Sequence, residues 1–542
     1  MKQGTLAIFS FRVLALFILL TWVMPALASE FSRWMEEARR TEALTGDELI
    51  EYLTKALNSW TESDGWQNKV RAYLLRKRAY ELQHKWSLAN ADYDRAAKVN
   101  PNAKETFLVF GDFYNSIEDY TKAINIDPKY AEAYRRRGNA YFRMEDYERA
   151  FQDYTKVIEL DPDALAYHSR GDAYFEKEDY DRAAADYTKS IELNPKDAHF
   201  YIMRGHAYYN KNDYDRAIKD YARAIELNPK YVQKAFLDRG EAYRKKKDYD
   251  RAVSDYTKVI ELDPKYAWAY RNRGNAYSEK KDYDRAVADY TRAIELEPKD
   301  ERAYRDRGRA YSMKTDYDRA IADYTKAIEI DPKYAQAYTE RGNLYNFQKK
   351  DYDRAVADLT KVIELQPNNA WAYHSRGDAY FGKKDYDRAL PDYTKSIEID
   401  PKDGHFYIMR GHAYYSKNDY HLALADYTKL VELSPKDANS YYYRGRAYFN
   451  LGKHQDAVSD CKKSIEIESK QASYYSCLSM ALLRQGKVEE AKSHFKKAVE
   501  LEPAYAEGAE AVTKKLFVTF APKEREAFDE LTKLLRAEKG KP

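Results

Sequence analysis

The sequence has little of what interrupts regular structure. Its 542 residues include 20 glycines and 16 prolines, too few for collagen-like or extended low-complexity stretches. It holds two cysteines, Cys461 and Cys477. They are no disulfide framework, so the fold must stand on packing. A single bridge between them is open, but two buried thiols are the simpler expectation. Mean hydropathy is −0.84, and only the N-terminus carries an apolar run able to meet a bilayer. Charge of one sign is also missing: 92 basic residues face 89 acidic ones, a formal net charge of +3. A chain so balanced has no long-range field for nucleic acid.

What the sequence does have is tyrosine, 53 residues against 20 phenylalanines, and a charged fraction of 33% spread finely along the chain. The length exceeds one ordinary hydrophobic core, so several domains or one repeat array are required.

The N-terminus reads as a secretory leader. Lys2 and Arg12 form its positive flank, residues 13–24 are apolar, Pro25 breaks the run, and Ala26 and Ala28 suit a signal peptidase. Cleavage is expected after Ala28, leaving a mature chain of net charge +1. Retention of residues 1–28 as an anchor stays open, although Arg12 interrupts the apolar segment.

The rest of the chain repeats itself. Ten Arg-Gly pairs, from Gly138 to Gly445, recur every 33 to 35 residues. Each glycine has a tyrosine three residues on and an alanine about a dozen on, and prolines close the units. In residues 267–300, Tyr270, Gly274 and Tyr277 share one helical face, and Ala286, Tyr290, Ala293 and Ile294 share another. Lys281-Asp282 is the turn, and Pro298 ends the second helix. Gly274 and Ala286 allow close approach, and the tyrosines are expected to fill gaps between hairpins. One such hairpin cannot bury its own apolar face, but stacked neighbours can.

With positions counted from the first residue of each unit, the pattern is an aromatic at 4, Gly at 8, Tyr at 11, Ala at 20, an aromatic at 24, a small residue at 27 and Pro at 32. This pattern resembles the tetratricopeptide repeat family. The resemblance implies an all-α, right-handed superhelical solenoid of about 12–13 hairpins. Its concave groove would be lined by the first helix of each hairpin. Residues 29–69 form an N-terminal helical cap, 70–505 the solenoid with a degenerate unit at 104–130, and 506–542 two capping helices and a charged tail. Position 7, usually a large aliphatic residue in the family, is arginine in eleven units, and the same eleven carry aspartate at position 23. Their joint loss in the last unit, at Leu478 and His494, predicts an Arg–Asp bridge inside each hairpin. Two irregularities stand out: an extra residue in the turn 348–350, and Pro391 inside a second helix, where it should kink or delay the helix.

Tyr167–Phe175 and Tyr373–Phe381 both read YHSRGDAYF, and a second pair, Phe200–Tyr209 and Phe406–Tyr415, shares the same offset of 206 residues. Duplication of six hairpins accounts for this. If the family geometry holds, positions 2, 5, 9, 12 and 13 face the groove. That places His168, Asp172, Phe175, His199, Ile202, His206 and Tyr209 there, with His374, Asp378, Phe381, His405, Ile408, His412 and Tyr415 in the copy. Two histidines and an aspartate could ligate zinc, but a polar groove with aromatic anchors for a peptide is the preferred reading. Between the blocks Trp268, Arg271, Asn275, Arg302, Arg305, Arg309 and Asn343 would line the groove. Arginine and asparagine at positions 5 and 9 resemble the carboxylate-gripping clamp of some family members. Arg309 stands where that clamp has asparagine, and Thr339 where it has a basic residue.

No Gly-rich phosphate loop, no His-Glu-x-x-His and no nucleophile elbow is present. No non-repeat segment exceeds about 45 residues, too short for an added catalytic domain. The expectation is therefore no enzyme and no cofactor. It is an exported scaffold that binds protein or peptide partners, and not nucleic acid or a small-molecule substrate. Dense repeats behind a leader point by association to the periplasm or envelope of a Gram-negative bacterium. The alternative is a membrane-tethered or self-assembling structural array.

Overall fold

The structure is a computed structural model and describes residues 46–101, 103–228, 232–516 and 520–539. The proposed leader, residues 1–28, and the first part of the N-terminal cap lie outside the described residues. Among the described residues all regular structure is helical. The chain divides after Pro264 into two compact units.

The first unit opens with the helix Gly46–Asn58, followed by six hairpins, from Trp66–Leu82 with Trp86–Val99 to Val232–Lys245 with Tyr249–Leu262. The degenerate hairpin is the short pair Lys104–Tyr114 and Ile117–Ile126. The second unit holds seven hairpins, from Ala267–Glu279 with Tyr283–Leu296 to Ala472–Arg484 with Val488–Leu501. Its end is closed by a short 3-10 turn, Pro503–Glu507, and the helices Ala509–Leu516 and Pro522–Lys539. Phe528, Leu531 and Leu535 of the last helix join a core with Phe495, Tyr505 and Leu482. Most of the expected charged tail is thus helical.

Each hairpin is specified locally. In the 267–300 unit Lys281 takes a left-handed conformation, φ +66°, which stops the first helix. The carboxylate of Asp282 then accepts from the Arg285 N–H and starts the second. A Cβ on Gly274 would stand 2.8 Å from the Tyr290 ring. The position-24 tyrosine therefore packs against the position-8 glycine of its own hairpin and also reaches the next hairpin, as Tyr290 meets Ala310, so it fills the gap between them. The same contact recurs from Gly138–Tyr154 to Gly411–Tyr427.

The Arg–Asp bridge is present in all eleven units. In each the guanidinium donates through Nε and Nη2 to both carboxylate oxygens, as Arg307 does to Asp323 at 2.8 and 2.7 Å. Arg76–Asp92 and Arg444–Asp460 are the outermost pairs. A second partner was not foreseen. In eight units the remaining arm, Nη1, reaches back to a threonine hydroxyl of the preceding element, such as Arg307 to Thr291 at 3.1 Å and Arg376 to Thr360 at 3.1 Å. At the start of the array Arg76 reaches Thr54 of the capping helix. One arginine thus joins three helices.

Both irregularities are accommodated. The extra residue is absorbed by a π-helical turn, Leu344–Lys349, and the bridge Arg341–Asp358 survives it. Pro391 does not delay its helix, which runs Tyr386–Ile399, the same 14 residues as its siblings. The two cysteines are not free thiols: Cys461 and Cys477 form a disulfide between the last two repeats. Cys461 occupies the position-24 place against Gly445, and Leu478 beside Cys477 has replaced the arginine, so a covalent tie stands where the polar one ends.

Because Asp323 is buried, Arg307→Met strands a carboxylate and should destabilise the array by up to about 3–5 kcal/mol. The double variant Arg307→Met/Asp323→Leu should recover much of that loss. Urea unfolding of the single and double variants measures the difference, and purely additive losses would contradict a coupled pair.

Candidate functional site

The first helices of successive hairpins touch one another along each unit, as Ala370–Gly382 touches Gly404–Ser416. Their position-9 side chains have an unforeseen task. Six of these repeats use the residue after the glycine, position 9, to accept a hydrogen bond from the buried tyrosine hydroxyl that faces that glycine. These are Tyr120 to Asp112 in the degenerate hairpin, Tyr154 to Asn139, Tyr187 to Asp172, Tyr256 to Glu241, Tyr290 to Asn275 and Tyr393 to Asp378, at 2.8–3.1 Å. Asn275, Asp172 and Asp378 are therefore already engaged in the fold.

The duplicated blocks build the same cluster twice. In the first, His168 Nδ1 lies 3.2 Å from Asp172, and its ring is 5.0 Å from His199 and 5.2 Å from Phe200. In the second, His374 lies 3.5 Å from Asp378 and 4.8 Å from His405. Trp371, absent from the residues expected in the groove, stacks on His405 and meets His374 edge-on. Its signal was there, a tryptophan at position 2 like Trp268. Despite the nearby Asp378, neither ring nitrogen of His374 makes a hydrogen bond. Burial pushes His374 down to about 3 and Asp378 up to about 7; it also drives His168 to about 4 and Asp172 to about 6.

His206 and His412 do not complete these clusters. His206 Nε2 pairs with Asp238 at 2.8 Å, and His412 Nδ1 bonds the Ile408 carbonyl at 2.6 Å. Among the described residues no group of three or more His, Cys, Asp and Glu is arranged to hold a metal ion. Ile202, expected in the groove, is fully buried beside Ala224 and Ala235. Phe175 and Phe381 stand edge-on to Tyr180 and Tyr386. Tyr209 donates to Glu241.

The arginine stripe is partly neutralised by the fold. Arg271 is 3.7 Å from Asp300, and Arg305 lies 2.6 Å from the buried Asp306. Arg302 and Arg309 are exposed. Trp268, Arg271 and Arg302 border one pocket of about 620 Å3, floored by Pro298 and the 297–301 loop. At the C-terminal end the chain's own last helix occupies the corresponding surface. Glu524, fully buried, accepts two bonds from the position-9 Arg446 at 2.8 and 2.7 Å, and the rings of Tyr415 and Tyr442 flank the guanidinium.

Models of the tetratricopeptide repeat match residues 131–163, 168–232, 267–300, 370–403, 438–471 and 472–505, and a TPR repeat model matches 111–145, 240–281, 314–384 and 411–452. The chain belongs to the tetratricopeptide repeat family. No curated protein matches it. Among solved tetratricopeptide-like structures, MamA is 28% identical over 32% of this chain and 93% of its own, with a TM-score of 0.30. YrrB, described as a TPR protein with an unusual peptide-binding site, is 26% identical over 33% and 92%, with a TM-score of 0.30. Yeast Tom70 is 17% identical over 76% and 96%, with a TM-score of 0.33.

The paired shifts within each tetratricopeptide His–Asp cluster have opposite signs. Lowering His374 means that the unfolded chain binds the extra proton between about pH 3 and 6.5, so this contribution raises stability with pH. Raising Asp378 means that the folded chain binds the extra proton between about pH 4 and 7, so this contribution lowers stability with pH. The two largely cancel. Asp378→Asn keeps an acceptor for Tyr393 and removes one of them. Its stability should therefore fall, relative to the parent, by up to about 1.4 kcal/mol per pH unit below pH 6.5. Melting temperatures at pH 4.5 and 6.5 test this; an equal drop in both proteins would contradict it.

Proposed function

We propose that this protein is an exported interaction scaffold, not an enzyme, that binds protein or peptide partners on the face formed by the first helices. The observation that carries the reading is the stack of hairpins within each unit, six in the first and seven in the second. Its arginine–aspartate ties fix the backbone, while Trp268, Trp371, Arg302 and Arg309 remain exposed on the first helices. A rigid face with aromatic anchors and exposed cations suits recognition of another chain. Export, to the periplasm or envelope of a Gram-negative cell, is supported by the leader-like residues 1–28 and by the disulfide Cys461–Cys477, a bond that belongs to oxidising compartments. Among the described residues no helix is long and apolar enough to cross a membrane.

Affinity capture with residues 29–542 from an extract of the native organism tests the reading, alongside the variant Arg271→Glu/Arg305→Glu/Arg309→Glu. A partner retained by the parent and lost by the variant is the expected result. A partner kept by both moves the contact to the His374–Trp371 cluster. No captured partner, with filaments that grow with protein concentration, would replace the scaffold by a self-assembling array.

A further inference from the structure

One polar tie that the chain closes among its early hairpins is left open at the hairpin starting at Ala267, and a pocket stands at the opening. In the hairpin starting at Ala131, the position-5 Arg135 donates through two arms to Asp163, the residue that caps the next first helix, at 3.2 and 2.7 Å. Glu132, at position 2, joins the pair at 3.2 Å. The hairpin starting at Ala267 has the same two ends, Arg271 at position 5 and the helix cap Asp300, but Trp268 at position 2. Here Arg271 Nε stops 3.7 Å from Asp300, on a side chain only 12% exposed, and makes no hydrogen bond. Asp300 spends its other oxygen on the backbone N–H groups of Arg302 and Ala303. The second carboxylate near Arg271, Asp306, pairs with Arg305 at 2.6 Å. A buried donor is seldom left unpaired, and this arginine borders the pocket of about 620 Å3 beside the Trp268 ring.

The lining narrows the ligand. Trp268 is 39% exposed and offers an apolar ring face. Arg271, Lys299 and Arg302 are matched by Glu297, Asp300 and Glu301, so the pocket has no net field to draw in a polyanion such as a nucleotide. Carboxylates beside one unsatisfied guanidinium call for a ligand with several hydroxyl donors and a single anionic group. A peptide, with one fixed N–H for each carbonyl, matches this set less well than a ring of hydroxyls that rotate to donate. We infer that the pocket bordered by Trp268 and the 297–301 loop binds a sugar acid. Its pyranose ring stacks on Trp268, its carboxylate receives the Arg271 Nε–H, and its hydroxyls donate to Glu297 and Glu301. The site goes beyond the scaffold reading and stands or falls without it.

The test is calorimetric titration with D-galacturonate, its linear trimer, D-galactose, and an acetylated, amidated Ala-Ala-Glu peptide. The parent should bind galacturonate at least about tenfold more tightly than galactose, which lacks the carboxylate. Trp268→Glu rebuilds the arrangement of Glu132, Arg135 and Asp163, so the variant can close Arg271 internally. It should lose galacturonate binding while its melting temperature holds or rises, which separates loss of the site from loss of the fold. Trp268→Phe keeps a ring face and should keep binding. Arg271→Gln should bind galacturonate and galactose alike. A trimer bound more tightly than the monomer would assign the site to a residue of an acidic polysaccharide, and equal binding to a free sugar acid. No binding of galacturonate by the parent, equal binding of galactose by the parent, or full binding by Trp268→Glu would overturn the site. A peptide bound more tightly than galacturonate would overturn the sugar and give the pocket to a polypeptide. Protein capture is read separately, so a failed sugar site leaves the scaffold reading standing.

Discussion

The array depends on a guanidinium that is mostly withdrawn from water. Each position-7 arginine closes a bidentate contact with a buried aspartate in its own hairpin, and most spend the remaining arm on a threonine of the element before. The aspartate alone would be a stranded charge, and the arginine alone would have no reason to enter the interface. Together they set the distance between two helices of one repeat and their register against a third. Around this contact the rest is small-residue geometry: glycine at position 8 receives the tyrosine ring, and the alanines at positions 3, 10 and 20 are buried. Packing and polar ties therefore serve the same register, one through shape and one through direction.

Much of this is legible from residue spacing. The period, the hairpin boundaries and the Arg–Asp pairing follow from the recurrence of residues that change together, as at Leu478 and His494. The third partner is not legible, because threonine after a tyrosine looks like ordinary helix surface until the next repeat is laid beside it. The contact of each tyrosine with its own glycine is hidden for a related reason. Periodicity says which face a ring is on, not that its own glycine receives it along with the neighbouring hairpin. The disulfide is hidden because sixteen residues of separation says nothing of the 6.0 Å between the two Cα atoms. At the candidate site, Trp268, Arg271 and Arg302 do converge on one pocket. The neutralising Asp306 is invisible in the spacing, since position 6 carries no signature of its own.

The two position-9 arginines of the second unit show opposite fates of one device. Arg446 is covered by the chain's own terminal helix and counts as architecture. Arg309 stands in the open near Tyr324, whose buried hydroxyl has no protein partner. The difference lies in the chain beyond each arginine: past residue 446 one further hairpin leads to the helix that folds back on it, while past residue 309 the chain runs on through five further hairpins.

The arginine–threonine contacts also fix how load passes along the chain. At eight joints an arginine hands tension to the element before it through a side-chain tie, and the joints are not equal. Ahead of Arg239 the place of the partner threonine is held by Ala222, which has no hydroxyl, so the first unit has a joint without that tie. At the far end the disulfide makes the last joint inextensible. Within the first unit the joint before residue 232 is therefore the loosest, and within the second the joint closed by Cys461–Cys477 is the stiffest.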